Sequence, residues 1–366
     1  MHVPEIGCSI DDLDTPALCI DLDVMESNIK HMAALCRQHG VAWRPHSKAH
    51  KSPEIARWEI AEGAIGVTCA KLGEAEVMAT GGVGDMLIAN QLVGPHKMQR
   101  LAALRRRADP VVAVDDLIQA EAMSQVFAAA GLTLRVILEV DIGLNRAGVI
   151  PGQPTLRLAQ RIDKLPGLKL AGIMGYEGHL LLLEDAAEKD RRIREAIAVL
   201  AETKDDFVKH GLCCDIVSAG GTGSFTTTIT CPGLTELQAG GLIFMDAFYR
   251  HRCHVEDFDF ALKLITTVVS RPAPDRAVID AGRKSQYADA HPPLVVGRTG
   301  LSLARLSAEH GEFTLEPEAQ HLQVGDRLEL IPGYSDFTNV LHDEFYGIRG
   351  GKLEVIWPLA GRGKIR

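Results

Sequence analysis

The nine residues WRPHSKAHK, Trp43 to Lys51, hold two lysines, two histidines and an arginine directly after an apolar run. A lysine ammonium has an ordinary pKa of about 10.4 and is a poor nucleophile at neutral pH. Arg44, Lys51 or protonated His46 and His50 would disfavour the charged form of Lys48 and release its amine. The alternative is a rim lysine, Lys48 or Lys51, with its ammonium in solvent. A second stretch suited to chemistry is SAGGTGSF, Ser218 to Phe225. Its glycines, Gly221 among them, let backbone amides approach an anion closely, and Thr222 or Ser224 can add a hydroxyl. Gly240 and Gly241, in QAGG, would complete an anion cup.

Such residues need elements to position them. Short apolar runs (VAWRP, GVTCA, DMLIAN, VVAVD, RVILEVD, LAGIMGY, DIVSAG and LIFMD) alternate with segments of helical period such as SPEIARWEIAEG and DLIQAEAMSQVFAAAG. Runs that are apolar on nearly every position suit parallel strands buried on both faces. Eight such units predict a (β/α)8 barrel over residues 24–255, with a doubly wound open sheet as the alternative. After residue 255 the runs are short, β-branched and separated by turn residues. That predicts an all-β domain over 256–366, joined by residues 1–23. A barrel works at the carboxyl ends of its strands. Lys48 then follows the first strand, and the glycine loops follow strand seven and precede LIFMD.

The 366 residues carry a formal charge of −9, which excludes the basic footprint that nucleic acid requires. The basic run LRRRADP (104–110) is expected to be a solvated face. No apolar run has the length of a membrane span, and the amino terminus lacks the pattern of a secretory signal. Eight cysteines without a CxxC pair suggest a reduced, cytoplasmic protein.

An amine after strand one and an anion cup on the opposite wall together suit pyridoxal 5'-phosphate, whose aldehyde needs an amine and whose phosphate needs an anchor. The ordered motifs DLDTPALCIDLD, WRPHSKAHKSPEIA, AKLGEAEVM, VDIGLNRAGV, GYEGHL, SAGGTGSF, TELQAGGLIFMDAFY, VIDAGRKS and WPLAGRGK resemble the D-threonine aldolase and D-serine dehydratase family, whose fold is similar to that of alanine racemase. The resemblance implies that Lys48 is the Schiff-base lysine. It implies that Ser218, Gly221, Thr222, Gly240, Gly241 and Tyr249 contact the cofactor, and that Arg146 faces the pyridine nitrogen with Tyr176 close by. The other reading of Arg146 is an ion pair with Asp141 or Glu139. The resemblance further implies a D-configured substrate and a homodimer. His179, in GYEGHL, is either a base that reaches the site or a hydrogen-bonded structural histidine.

At one point the chain departs from that pattern. The family binds a divalent metal through a histidine and, two residues later, an aspartate or cysteine. Here the loop reads IPGYSDFTNVLHDEF, so Asp336 matches the second ligand and Tyr334 stands in place of the histidine. Bringing a phenol from a pKa of about 10 to neutrality takes roughly 4 kcal/mol. Three readings remain open: Asp336 holds Mg2+, Mn2+ or Zn2+ with Tyr334, His342 or water completing the shell; Tyr334 acts directly as acid/base; or the metal is lost. His342 and Asp343 are expected to be a solvated polar pair. The function expected is a lyase that cleaves a D-β-hydroxy-α-amino acid to glycine and an aldehyde. The alternatives are a dehydratase, a racemase and a non-catalytic carrier of the cofactor.

Overall fold

The computed structural model describes residues 4–366, and within it the chain forms two compact units. One comprises Lys30–Gly240 and Gly363–Arg366; the other comprises the residues up to Ile29 and Gly241–Arg362. After β1 (Ala17–Asp21) come eight strands: β2 (Ala42–Trp43), β3 (Val67–Cys69), β4 (Asp85–Ile88), β5 (Asp109–Val114), β6 (Leu134–Glu139), β7 (Leu168–Met174), β8 (Ile216–Ala219) and β9 (Glu236–Leu237). These eight form one all-parallel sheet in the order β2-β9-β8-β7-β6-β5-β4-β3. A parallel bridge between His46 and Thr68 joins its two ends, with Thr68 N–H donating to Pro45 O at 2.8 Å, so the sheet closes into a barrel.

Helices α1 (Leu22–His39), α2 (Pro53–Ala61), α3 (Leu72–Thr80), α4 (Pro95–Arg105), α5 (Leu117–Ala129), α6 (Gln153–Ile162) and α7 (Ala186–Lys209) alternate with the strands. Their limits follow local chemistry. Proline opens α2 and α4, where a missing N–H costs nothing, and Asp116 caps α5 by accepting from Ile118 N–H at 2.7 Å. Ala120, Met123 and Phe127 form the buried stripe of α5. Along β6, alternate side chains Arg135, Ile137 and Glu139 line the same face, so the barrel interior is charged at both ends and apolar between them.

The eighth strand is not the expected one. LIFMD lies in a buried 3-10 turn, Gly241–Ile243, and its continuation, while the barrel is completed by Glu236–Leu237. Two features hid that strand. It is two residues long, and its Glu236 is buried only because Arg44 pairs with it.

In the other unit β1 pairs antiparallel with β10 (Leu262–Ala273). The remaining strands are β11 (Arg276–Ile279), β12 (Leu294–Val295), β13 (Leu301–Leu306), β14 (Gly311–Leu315), β15 (Arg327–Ile331), β16 (Glu344–Arg349) and β17 (Lys352–Pro358). All pairings are antiparallel except that of β1 with β16. Leu13, Ala17, Cys19, Ile265, Ile348 and Leu353 form part of its core. Among the described residues no helix is long and apolar enough to cross a membrane.

Candidate active site

Lys48 lies half-buried in the 3-10 turn Ser47–Ala49, beyond the carboxyl end of β2. The turn is tied down from behind by Glu74 of α3, which is fully buried. One of its oxygens accepts from Ser47 Oγ at 3.1 Å and pairs with Lys51 Nζ at 3.4 Å; the other accepts from Ala70 N–H at 2.7 Å. Trp43 Nε1–H donates to Ala239 O at 2.8 Å, which pins β2 to the strand beside it.

The cations expected to release the Lys48 amine are each accounted for elsewhere. The Arg44 guanidinium meets Glu236 at 3.1 Å and Asp85 at 2.6 Å, and Asp85 opens β4 at the amino end of the barrel. Lys51 is paired with Glu74. His50 Nε2 lies 3.3 Å from Glu59, both side chains fully buried, and its Nδ1 accepts from Ser52 N–H. Burial, followed by the nearby charge of Lys48, pushes the His46 imidazole far below its usual range, so it is neutral, and its Nδ1 accepts from Lys48 N–H at 3.3 Å.

The neighbouring strands bring their loops to the same end. Beyond β8, Gly220 holds a φ of +85°, and a Cβ there would lie 2.3 Å from Leu237 Cδ1. At Gly221 a Cβ would come within 3.0 Å of the Tyr176 ring. Beyond β9, a Cβ on Gly240 would fall 2.5 Å from His46 O, so only glycine lets that loop lie against the backbone of the lysine turn. Ser218 Oγ accepts from Gln238 Nε2 at 2.9 Å, and Thr222 is buried in the loop. The Ser224 hydroxyl, considered above for the anion cup, donates to Glu177 at 2.6 Å.

Glu177 escaped the sequence reasoning. It is fully buried, and its Oε1 accepts from both Ser224 Oγ and Thr228 Oγ1 at 2.6 Å, which anchors the glycine loop and the short α8 (Phe225–Thr228) behind it. The available signal was a carboxylate in GYEGHL, directly after the apolar run of β7. Glu74 carried the same kind of signal, standing four residues before buried Met78 on the inner face of α3.

On the next loops Arg146 makes the ion pair considered for it, with Glu139, and lies beside Tyr176. Its guanidinium lies 3.5 Å from buried Glu139 and 5.8 Å from the centre of the Tyr176 ring. Asp141 instead caps its own loop through Gly143 and Asn145 N–H. His179 is exposed and rests against that loop, since a Cβ on Gly143 would meet its Nε2 at 2.9 Å. Partial burial, then the charge of Arg192, lowers its pKa, which leaves a neutral imidazole able to accept a proton.

The other unit holds the remaining candidates. Gly241 starts the 3-10 turn, and α9 (Ala247–His251) carries buried Tyr249. Asp246 is fully buried and accepts from Tyr249 N–H at 2.8 Å, Ser335 N–H at 2.8 Å and Ser335 Oγ at 2.7 Å. It therefore staples α9 to α10 (Ser335–Asn339), the helix that carries Asp336. Burial raises the Asp246 carboxyl to about 7 against those three hydrogen bonds. The Tyr334 hydroxyl donates to Asp336 Oδ2 at 3.1 Å, and its ring makes edge contacts with Phe248, Tyr249 and Phe337. His342 Nε2 is hydrogen-bonded to Ser285 O at 2.8 Å, and burial lowers its pKa; Asp343 is exposed and pairs with Arg362. The expected solvated His342–Asp343 pair is thus two separate contacts.

The barrel residues fit pyridoxal 5'-phosphate. An amine follows one strand, and two close-packed glycine loops, at positions a Cβ would fill, follow the next two strands of the sheet. At Asp336 the donors fit a divalent ion poorly, since a phenol, Tyr334, stands where the family pattern has a histidine. Among the described residues no group of three or more His, Cys, Asp or Glu could hold one.

A barrel with this loop set and an antiparallel partner unit is the arrangement of alanine racemase-like proteins. Residues 20–247 match the alanine racemase N-terminal domain, and residues 261–348 match a putative serine dehydratase domain. The chain is 39% identical to a D-threonine aldolase of Arthrobacter sp. over 96% of its own length and 93% of that protein. It is 35% identical to a 3-hydroxy-D-aspartate aldolase of Paracoccus denitrificans over 98% and 94%. A crystal structure of D-threonine aldolase from Filomicrobium marinum, 38% identical, superposes with a TM-score of 0.96 over 99% of this chain and 100% of that one. The chain belongs to this D-threonine aldolase family, whose members are pyridoxal phosphate-dependent lyases.

Proposed function

We propose that the chain cleaves a D-β-hydroxy-α-amino acid between Cα and Cβ, giving glycine and an aldehyde, and that it does so with the residues described above. The observation that carries the assignment of roles is the convergence, at the carboxyl ends of adjacent strands, of the Lys48 turn, the two glycine loops and the Tyr176–His179 segment. When bound, pyridoxal phosphate supplies an electron sink for the pair released as the Cα–Cβ bond breaks.

The chain's own groups have separate tasks. Lys48 would hold the cofactor, as the amine that its aldehyde needs. Gly221, Thr222 and Gly240 would bind the phosphate. By the family resemblance Arg146, which lies beside Tyr176, would face the ring nitrogen, where its permanent charge would discourage a proton. His179, neutral near pH 7, takes the proton from the substrate's β-hydroxyl as the carbonyl of the leaving aldehyde forms. No step is routed through a metal.

Incubation of the holoenzyme with D-threonine should yield equimolar glycine and acetaldehyde. Formation of 2-oxobutyrate instead would indicate a dehydratase, and neither product from any D-β-hydroxyamino acid would remove the lyase reading. We further propose a cytoplasmic homodimer, checked by sedimentation and by fractionation of cells. The eight cysteines, all free, agree with a reducing compartment.

A further inference from the structure

We infer that the Tyr334–Asp336 pair takes the place of a divalent ion in this chain, closing the loop to metal by a hydrogen bond between its own side chains. This deepens the proposed lyase reading and rests on it. Three observations converge, all within one unit. First, the Tyr334 hydroxyl donates to Asp336 Oδ2 at 3.1 Å, so one of the two carboxylate oxygens is already engaged by a proton donor. A neutral phenol keeps that proton, and its one oxygen is a poor substitute for an imidazole nitrogen as a ligand.

Second, the phenol is held in place. Its ring meets Phe248, Tyr249 and Phe337 edge-on, with centroids 5.1, 5.8 and 5.1 Å away. The backbone on either side is fixed as well. Asp246 grips Ser335 through N–H and Oγ, and Gly333 has no room for a Cβ, which would fall 1.9 Å from His291 O. Tyr334 therefore cannot swing aside to leave Asp336 to an ion without breaking this aromatic cluster. Third, the nearest histidine along the loop is engaged elsewhere. His342 donates through Nε2 to Ser285 O at 2.8 Å, which fixes the orientation of its ring. A Mg2+ or Mn2+ ion prefers a shell of several oxygens, and of the three carboxylates in this loop Asp336 is bonded to a phenol, Asp343 pairs with Arg362 and Glu344 accepts from the Tyr346 hydroxyl.

Functionally, the pair presents a phenol hydroxyl and a carboxylate, fixed next to Tyr249, where relatives with a histidine at this position would present a cation. The enzyme would then tolerate chelators.

The test uses purified holoenzyme and Mn2+ as the probe, read by electron paramagnetic resonance and by elemental analysis after gel filtration in metal-free buffer. Wild type should retain no ion and should not saturate with Mn2+ in the micromolar range, and chelator should leave its turnover unchanged. Tyr334→His should gain a stoichiometric site, with Mn2+ affinity rising at least roughly 100-fold and falling again in Tyr334→His/Asp336→Asn. A wild-type protein that retains stoichiometric metal, or a Tyr334→His variant that folds and binds Mn2+ no better, overturns the inference. Should Tyr334→His fail to fold, judged by loss of the cofactor absorbance, the wild-type titration decides alone. The metal readouts do not depend on turnover, so they stand apart from the assay for glycine and aldehyde that tests the lyase reading.

Discussion

The two ends of the barrel handle charge in opposite ways. At the amino end Arg44, with 3% of its side chain exposed, is shared between Glu236 and Asp85, while Arg135 bridges Asp85 and Asp109 at 3.1 and 2.9 Å. Every charge there has a protein partner within the network. At the carboxyl end Arg146 is 57% exposed with one carboxylate at 3.5 Å, His179 is exposed, and Lys48 stands on a single short turn. Rigid carboxylates are present at this end too, but one step back. Glu74 and Glu177 are fully buried and hold the loops, not the ligand. The amino end ties its charges into one network; the carboxyl end carries Arg146 and His179 exposed on its loops.

If that contrast is right, substitutions at the two ends should separate activity from stability. Lys48→Ala should have the largest effect on activity. It removes the only attachment proposed for the cofactor, so the yellow absorbance of the holoenzyme and the product of borohydride trapping should vanish, and turnover should fall by at least about 1000-fold. Its melting temperature without added cofactor should match that of the wild-type apoprotein. Mass spectrometry that places the reduced adduct on another lysine would break the assignment.

Arg44→Met should do the reverse. It leaves Glu236 buried beside an apolar side chain, which costs about 3–5 kcal/mol for a broken buried pair. Urea unfolding should report that loss, while the cofactor absorbance of the folded fraction stays unchanged. A loss below about 1 kcal/mol would mean the amino-end network is not structural.

Glu177→Ala probes the border between the two behaviours. Ser224 and Thr228 would lose their common acceptor, at about 1–2 kcal/mol for a buried hydroxyl left unsatisfied, and the glycine loop would loosen. Cofactor affinity, measured by fluorescence titration, should weaken about 10-fold with a smaller change in turnover at saturating cofactor. An equal loss in both would place Glu177 among the residues that touch the reaction.

These contrasts also mark what the sequence could reveal. Seven of the eight apolar runs became barrel strands, because strands buried on both faces must be apolar, and Lys48 could be located from its place after the first of them. The eighth was lost because burial of Glu236 depends on a partner 192 residues away. The same long-range pairing misled the reading of the lysine's surroundings. Arg44, Lys51 and His50 are neighbours of Lys48 along the chain, yet each faces a carboxylate from another element. Local charge density does not show which way side chains point. Tyr334 was legible as a departure from a family pattern, but the hydrogen bond that gives it meaning needed coordinates.

The smallest predicted effect concerns His179, the least enclosed of the proposed catalytic groups. Its pKa is lowered first by partial burial and second by Arg192. A base must be deprotonated to act, so a lowered pKa extends activity to more acid solution, and the acid limb of kcat/KM should lie below pH 6.5, the ordinary imidazole value. Arg192→Gln removes one of the two causes and should move that limb toward higher pH. The shift should be only about a few tenths of a unit, because Arg192 is itself 45% exposed and also meets Glu188 at 3.7 Å, so solvent and a counter-charge screen its effect. Raising the salt concentration should shrink the difference between the two proteins further. A limb that does not move, or that moves to lower pH, would assign the titration to some other group and take the role of base away from His179.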